Sequence, residues 1–184
     1  MKPNIDALKK DFREGRHAQA IAQAEALSSQ NPSNVEVKRL CATMHAMVRN
    51  YARALELLLQ LRDPSKENPD ILFNIAMCQK ELKNFEGAQE YFKVFTEKFG
   101  GSADGWAGLA ECSLQLGQFS QATQAADRAI AIDPSLLTAW TVRGDSFNQL
   151  GKVQEAVADY QAALALAPGD AETLQKATVC LLDS

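Results

Sequence analysis

The sequence predicts an all-α protein made of consecutive antiparallel helical hairpins. Three observations predict this fold class: an alanine that recurs at a fixed interval, prolines and glycines that follow the same interval, and a composition rich in helix formers. Of the 184 residues, 46% are hydrophobic and only 7% aromatic. Ala and the straight-chain residues lose little conformational entropy on entering a helix, so this mixture favours helices.

The recurring alanine sets the length of the repeat. It occurs five times at intervals of 34 residues, without gap or insertion, at Ala20, Ala54, Ala88, Ala122 and Ala156. The same interval links Trp106 to Trp140 and Pro134 to Pro168. The predicted repeats are 1–34, 35–68, 69–102, 103–136 and 137–170, followed by a half-length unit, 171–184.

Each recurring residue type has a role in a hairpin. Two helices approach closely only where side chains are small, so the recurring alanine is expected to face the small residues of the first helices: Ala42, Ala76, Ala110 and Gly144. Gly117 and Gly151 predict left-handed backbone in the hairpin turns. The prolines end the second helices, and Ser135 and Asp170 are predicted to cap the helices that follow.

Other segments depart from the pattern. Pro64 and Pro69 predict an early end to the second helix of repeat two and a longer connection, and Gly100-Gly101 predicts a flexible joint after repeat three. The last segment, 171–184, predicts a capping helix that covers the fifth repeat. The side chains expected to face that repeat are Leu174, Ala177, Thr178 and Leu181.

The first helix carries an apolar stripe formed by Ile5, Leu8 and Phe12. One interpretation is that the helix is rotated and buries Ile5 and Phe12 within the first hairpin. The alternative is that these two residues form an exposed interface for a partner or for a second copy of the chain, giving a homo-oligomer through the first hairpin.

The best-formed repeat resembles the tetratricopeptide pattern of large, small, large, Ala, aromatic, Ala and Pro. The matching residues are Trp140, Gly144, Phe147, Ala156, Tyr160, Ala163 and Pro168. Arg143 departs from the usual leucine. The resemblance covers nearly the whole chain and implies a right-handed α-solenoid (superhelix) of about 11 helices that forms a single domain over 1–184.

The resemblance also implies a function, since the first helices of this family line a concave groove. We therefore expect a non-catalytic scaffold or adaptor that binds a peptide or helix of a partner protein there. The residues predicted to line the groove are Glu36, Arg39, Asp70, Phe73, Asn74, Met77, Asp104, Glu111, Asp145 and Asn148.

Two interpretations of this groove follow from its residues. The carboxylate clamp of chaperone-binding relatives is incomplete: Asn74 matches it, but Asp104 and Gly108 stand where two cations are needed. The groove carries an acidic track formed by Glu36, Asp70, Asp104, Glu111 and Asp145. This track suggests a bound segment rich in Lys or Arg. The alternative is a solvated polar face of mixed character.

The sequence predicts no enzyme, no cofactor and no metal site. His17 lies at a turn and His45 at a core-facing position, and neither is expected to have a cysteine at metal-ligand spacing. The four cysteines are interpreted as small core residues. Phosphate-loop, dinucleotide-binding and nucleophile-elbow motifs are absent from the sequence.

Charge and hydropathy exclude further classes of partner. The net charge of −4 argues against nucleic-acid binding, and no apolar run reaches membrane-spanning length. Without a recognisable signal peptide, the expected location is the cytoplasm. A second functional hypothesis remains open: an N-terminal module that recruits substrates for a larger glycosyltransferase, sulfotransferase or methyltransferase.

Overall fold

The computed structural model describes residues 5–182, which fold into eleven α-helices. Their bounds are α1 Ile5–Arg13, α2 His17–Gln30, α3 Val35–Met47, α4 Tyr51–Leu61, α5 Pro69–Glu81, α6 Phe85–Lys98, α7 Ala103–Gln115, α8 Phe119–Ile132, α9 Leu137–Gln149, α10 Val153–Leu166 and α11 Ala171–Leu182. The all-α prediction is confirmed. Within residues 5–182, no helix is both long and apolar enough to span a bilayer.

The helices form two compact units, and in each unit a helix packs against the next one along the chain. The first unit holds α1–α5 and ends at Asn84; the second holds α6–α11 and begins at Phe85. In the second unit, α7 also contacts α9. This sequential packing is the predicted hairpin order. A single domain over 1–184 stays a prediction.

The recurring alanines are completely buried positions of the second helices. All five have 0% exposure: Ala20, Ala54, Ala88, Ala122 and Ala156. The close approach is measurable at Gly144, where an added Cβ would lie 3.3 Å from the carbonyl oxygen of Ala156 and 2.8 Å from Cε1 of Tyr160. The predicted role of small residues is therefore confirmed.

A second buried stripe runs along the first helices at the third and tenth positions of repeats two to five and of the half-length last unit. Its members are Val37 and Met44, Ile71 and Cys78, Gly105 and Cys112, Ala139 and Ser146, and Thr173 and Cys180. An added Cβ at Gly105 would lie 2.4 Å from Cε1 of Phe95 on α6, so in α7 this stripe faces the preceding second helix. Several members are small or polar, which hid the stripe from a hydrophobicity pattern.

The hairpin turns share one left-handed residue, again every 34 positions. Gly15, Gly117 and Gly151 have φ of 84°, 71° and 72°, and Arg49 and Lys83 adopt φ of 62° at the equivalent positions. The predicted left-handed glycines are confirmed. Because a Cβ strains this conformation, Arg49 and Lys83 occupy it at a cost that glycine avoids.

Side-chain caps begin four of the first helices. The side-chain oxygens of Asn34, Asn68, Ser102 and Asp170 each accept a hydrogen bond from the backbone N–H three residues later, at 3.0–3.2 Å. The prediction for Ser135 is wrong. Its N–H and hydroxyl instead donate to Asp133, and α9 begins after Leu136 without a side-chain cap.

The second helix of repeat two ends early, as predicted. Helix α4 has 11 residues, whereas α2, α6, α8 and α10 have 14. Pro69 is the first residue of α5. A backbone N–H at this position would have no intrahelical acceptor, so proline loses no hydrogen bond there.

The orientation predicted for the capping helix is wrong. Helix α11 packs against α10 through Thr173, Ala177 and Cys180, whereas Leu174 and Leu181 are 54% and 56% exposed and Thr178 is also exposed. Leu174, Thr178 and Leu181 are equivalent to Trp140, Gly144 and Phe147, positions that meet the second helix of a complete hairpin. No helix follows α11 in the described residues. Asp183, at the end of the predicted cap, lies outside them.

The two tryptophans tie their helices to the preceding connection. The indole N–H of Trp106 donates to the carbonyl oxygen of Gly100 at 3.0 Å, and that of Trp140 to Pro134 at 2.8 Å. Arg143, which replaces the usual leucine, forms a two-bond ion pair with buried Asp159 at 2.8 and 2.6 Å. Its guanidinium also lies 4.9 Å from the Trp140 ring centroid, so Arg143 pairs the buried charge and packs on the aromatic ring.

The strained turn residue provides a test of the hairpin geometry. Arg49→Gly should raise the free energy of unfolding by about 0.5–1 kcal/mol, because the relief of left-handed strain exceeds the entropy that glycine loses. Gly117→Ala should lower it by about 1 kcal/mol for the opposite reason. Urea denaturation followed by circular dichroism measures both changes.

The matched control is Gly169→Ala, since an added Cβ there meets no atom within 4 Å and φ is not left-handed. That variant should stay within about 0.5 kcal/mol of the parent protein. A loss of stability in Arg49→Gly would show that the turn conformation is not strained.

Candidate functional site

The predicted groove residues of the first unit lie on the exposed faces of α3 and α5. Glu36, Arg39, Asp70 and Asn74 are exposed, while Phe73 and Met77 are half-buried. They project outward because helix packing buries other positions of the same helices, including Val37, Met44, Leu72 and Ile75. The structure therefore brings six of the ten predicted residues to one face of this unit.

The central feature of this face is an apolar pocket of about 340 Å³ between α3, α4 and α5. Its lining residues are Ala42, Thr43, Ala46, Met47, Tyr51, Leu58, Phe73, Asn74, Met77, Cys78 and Glu81. Met47 is 67% exposed although it is apolar. A cavity of this size is within the usual range for ligand pockets and accommodates a large apolar side chain.

Beside this pocket lies a second depression of about 330 Å³ whose lining is charged. It is lined by Ile5, Lys9, Glu36, Arg39, Leu40, Thr43, Asp70 and Asn74, so it shares Thr43 and Asn74 with the apolar pocket. A guanidinium nitrogen of Arg39 lies 3.8 Å from an Asp70 oxygen. This part of the face thus carries both charge signs and is not uniformly acidic.

The predicted groove residues of the second unit have different surroundings. Asp104 is exposed near the start of α7 and Glu111 is half-buried on the same helix. Asp145 and Asn148 line a cavity of about 580 Å³ together with residues of α7, α8, α10 and α11.

Asp145 is already engaged in hydrogen bonds within the second unit. One of its oxygens accepts from the Tyr160 hydroxyl at 2.9 Å and the other from the Lys176 ammonium at 2.9 Å. Lys176 also lies 2.9 Å from Glu172. Burial acts to lower the pKa of Lys176, but its hydrogen bonds to Asp145 and Glu172 raise the pKa overall. Asp145 therefore helps to hold α11 against the fifth hairpin.

The two residues of the predicted amino-terminal interface are placed differently. Phe12 is 6% exposed, with its ring centroid 4.4 Å from that of His17. Ile5 is half-buried and lines the charged depression. Burial removes Phe12 from any exposed patch, so of the pair only Ile5 is accessible.

Sequence reasoning missed several residues of these sites. Tyr51 and Leu58 line the apolar pocket from the second helix of repeat two, whereas the resemblance had pointed to first helices alone. The expectation that neither histidine has a cysteine at metal-ligand spacing is also wrong. Cys41 lies one helical turn before His45, and their side chains converge with Glu25. The spacing of four residues was the available signal.

The family model for the tetratricopeptide repeat matches residues 10–70, 79–136 and 137–171. The chain belongs to the tetratricopeptide repeat family. Among curated protein sequences, none matches the chain significantly.

Solved tetratricopeptide structures share the fold over most of the chain. A crystal structure of MamA is 18% identical, covers 90% of this chain and 96% of its own, and superposes with a TM-score of 0.80. YrrB, described as a TPR protein with an unusual peptide-binding site, is 14% identical with coverage of 95% and 90% and a TM-score of 0.80. The first TPR domain of Spaghetti (RPAP3), bound to the HSP90 peptide SRMEEVD, is 20% identical with coverage of 63% and 94% and a TM-score of 0.61. At these identities the likeness shows the fold alone.

The geometry of this tetratricopeptide chain gives a physical reason for the incomplete carboxylate clamp. An added Cβ at Gly108 would lie 2.4 Å from Cζ of Phe92, and Phe92 is fully buried. A lysine or arginine at this position would displace a core ring. Asn74, the one matching residue, donates its side-chain N–H to the backbone oxygen of Asp70 at 2.7 Å.

The engagement of Asp145 can be tested with Tyr160→Phe. This substitution removes a hydroxyl that donates to a carboxylate, so the free energy of unfolding should fall by about 1.5 kcal/mol, the low end for hydrogen bonds to charged groups. Thermal and urea denaturation measure the change.

Tyr51→Phe is the matched control, because the Tyr51 hydroxyl makes no hydrogen bond to another residue in the described part of the chain. It should change stability by less than about 0.5 kcal/mol. Equal effects of the two substitutions would contradict the assigned role of Asp145.

Proposed function

We propose that the chain is a non-catalytic interaction scaffold that binds a peptide or helical segment of a partner protein on the exposed face of α3 and α5. The observation that carries the proposal is the apolar pocket lined by Met47, Tyr51, Phe73 and Met77. Tetratricopeptide proteins are typically scaffolds that bind proteins or peptides, and YrrB and the Spaghetti domain are described with peptide sites.

The chemistry of the pocket favours one large apolar side chain as the anchor of the bound segment. Burial of a leucine- or phenylalanine-sized side chain contributes roughly 1.5–3 kcal/mol, which is a large share of the affinity of a short peptide. Methionine side chains adjust their shape to different guests. Met47 and Met77 at this site therefore support a ligand defined by one anchor residue rather than by a long rigid motif.

Charge around the pocket supports a basic residue next to the anchor. Glu81 is exposed and lines the pocket, whereas Asp70 already lies beside Arg39. The preference for Lys or Arg therefore belongs to the Glu81 side of the pocket. An acidic peptide such as the one bound by the Spaghetti domain is a poor candidate, since the clamp cations are replaced by Asp104 and Gly108.

A peptide selection tests this proposal and does not require a purified partner protein. Random peptides displayed on phage are selected on the full chain, and the enriched sequences are synthesised and titrated by calorimetry. Met47→Glu places a charge at the pocket, and it should weaken binding about tenfold or more because the anchor then meets a carboxylate instead of an apolar wall. Met47 is mostly exposed, so the fold should not change.

Leu59→Glu is the matched control, since Leu59 is also exposed and apolar but does not line the pocket. Its affinity should equal that of the parent chain. If Met47→Glu binds the selected peptides as well as Leu59→Glu does, the pocket is not the binding site. Enriched peptides without Lys or Arg beside the anchor would remove the role assigned to Glu81.

A further inference from the structure

Three side chains that can bind a metal converge between α2 and α3. The carboxylate of Glu25, the thiol of Cys41 and the imidazole of His45 each offer one ligand atom, and these atoms lie within 4.8 Å of one another. This is the one group of three or more His, Cys, Asp and Glu side chains with such spacing in residues 5–182. It lies outside the apolar pocket and is independent of the proposed function.

Helical geometry explains the convergence. Cys41 and His45 are four residues apart on α3, so their side chains lie on one face of that helix. Helix α2 packs against α3 and supplies Glu25, whose Oε1 atom lies 3.2 Å from Nε2 of His45. Cys41 is completely buried and His45 is 5% exposed, whereas the Glu25 side chain is 38% exposed. The group therefore has a buried side and an open side.

The imidazole of His45 is incompletely satisfied. Its Nε2 atom pairs with Glu25, but its Nδ1 atom is buried and has no hydrogen-bond partner among the described residues. Buried polar atoms nearly always have a hydrogen-bond partner, so an unpaired nitrogen in a native core is unusual. An ion bound at Nε2, the nitrogen that faces Glu25, would leave the proton on Nδ1 and that atom unpaired, so the converging ligand atoms, and not this unpaired nitrogen, indicate a site.

The surroundings shift the pKa values of the two other ligand groups, Glu25 and Cys41, in opposite directions. Hydrogen bonding from Arg53, and then from His45, lowers the pKa of Glu25 and keeps the carboxylate ionised although burial opposes this. Burial, and then the nearby charge of Glu25, raises the pKa of the Cys41 thiol to about 11. A divalent ion would displace the thiol proton to solvent, as zinc does when it binds a thiol.

We propose that Glu25, Cys41 and His45 bind one divalent transition-metal ion, with Zn²⁺ as the best match. Carboxylate, thiolate and imidazole are the three ligand types that zinc prefers. Zinc–ligand distances of about 2.0–2.3 Å place neighbouring tetrahedral ligands roughly 3.3–3.8 Å apart. The Glu25–His45 pair, at 3.2 Å, lies just below this range, and the thiol, within 4.8 Å of the other two ligand atoms, reaches it by a small side-chain movement.

The open side of the site provides the remaining coordination position. Zinc bound by three protein ligands usually keeps a water as the fourth, and the exposed part of Glu25 gives the ion a path of entry. Arg53 is the competitor, since its Nε donates to the same Oε1 atom at 3.1 Å. The ion must displace this hydrogen bond, while Arg53 keeps its second partner, Glu56, at 2.7 Å.

A bound ion would join the first hairpin to the second. Glu25 belongs to the second helix of repeat one, and the other two ligands belong to the first helix of repeat two. Because an ion that binds only the folded chain shifts the unfolding equilibrium by mass action, zinc should stabilise the first unit.

Cobalt(II) titration of the full chain, after removal of metals with EDTA, tests this site. Thiolate-bound cobalt gives a charge-transfer band in the near ultraviolet, and competition with Zn²⁺ then gives the zinc affinity. The parent chain should show the band with one equivalent of cobalt and should melt at a higher temperature with zinc. Cys41→Ser should abolish the band, and His45→Gln or Glu25→Gln should weaken zinc binding by about tenfold or more.

Cys112→Ser is the matched control, because Cys112 is as completely buried as Cys41 but belongs to no such group within residues 5–182. The control should bind metal like the parent chain. Persistence of the charge-transfer band in Cys41→Ser, or no band and no thermal shift in the parent chain, overturns the proposal. Glu25→Gln alters a half-exposed side chain, so it keeps the test decisive if Cys41→Ser fails to fold.

Discussion

Within each unit, the hairpins depend on a close approach of two helices at an alanine of the second helix. The five recurring alanines are completely buried, and at Gly144 even a single added carbon would lie within 3 Å of a neighbouring ring. A larger side chain at such a contact typically costs about 1–3 kcal/mol. This constraint fixes which face of each first helix turns inward, and consequently which face is left exposed.

The exposed face of the first unit is shaped by the same packing. Alanines at 42 and 46 leave space between α3 and α5, and the larger side chains of Met47, Phe73 and Met77 surround it. The apolar pocket is thus formed by rigid helices whose positions are set elsewhere in the core. In the second unit, the predicted groove residue Asp145 accepts hydrogen bonds from Tyr160 and Lys176. Groove positions of the repeat therefore form different surfaces in the two units.

The features that sequence reasoning predicted well are those in which one residue type is required. Only small side chains fit the helix contacts, and glycine is the least strained residue at a left-handed turn, so the alanines and Gly117 and Gly151 marked the hairpins. Features with several acceptable residues escaped notice. The buried stripe of the first helices accepts Ile71, Gly105 and Ser146 alike, and the turn accepts Arg49 at a cost in strain.

The site was harder to predict than the fold because it depends on pairs of side chains that are distant in sequence. Nothing in the repeat pattern shows that Asp145 meets Lys176, or that Glu25 meets His45. The orientation predicted for α11 was wrong for a related reason. Its leucines occupy repeat positions that face a second helix in a complete hairpin, and no helix follows α11 in residues 5–182. Repeat position predicts the direction of a side chain, but its partner is set by the neighbouring helices.

Methionine-methyl NMR provides the most direct measurement of the central claim, that the face left exposed by hairpin packing binds the partner segment. Met47 and Met77 line the apolar pocket, and Met44 is a buried internal reference on the same helix as Met47. Titration with a selected peptide should shift the Met47 and Met77 methyl signals until they saturate and leave that of Met44 nearly unchanged. Saturable binding that leaves the Met47 and Met77 signals in place would contradict the account.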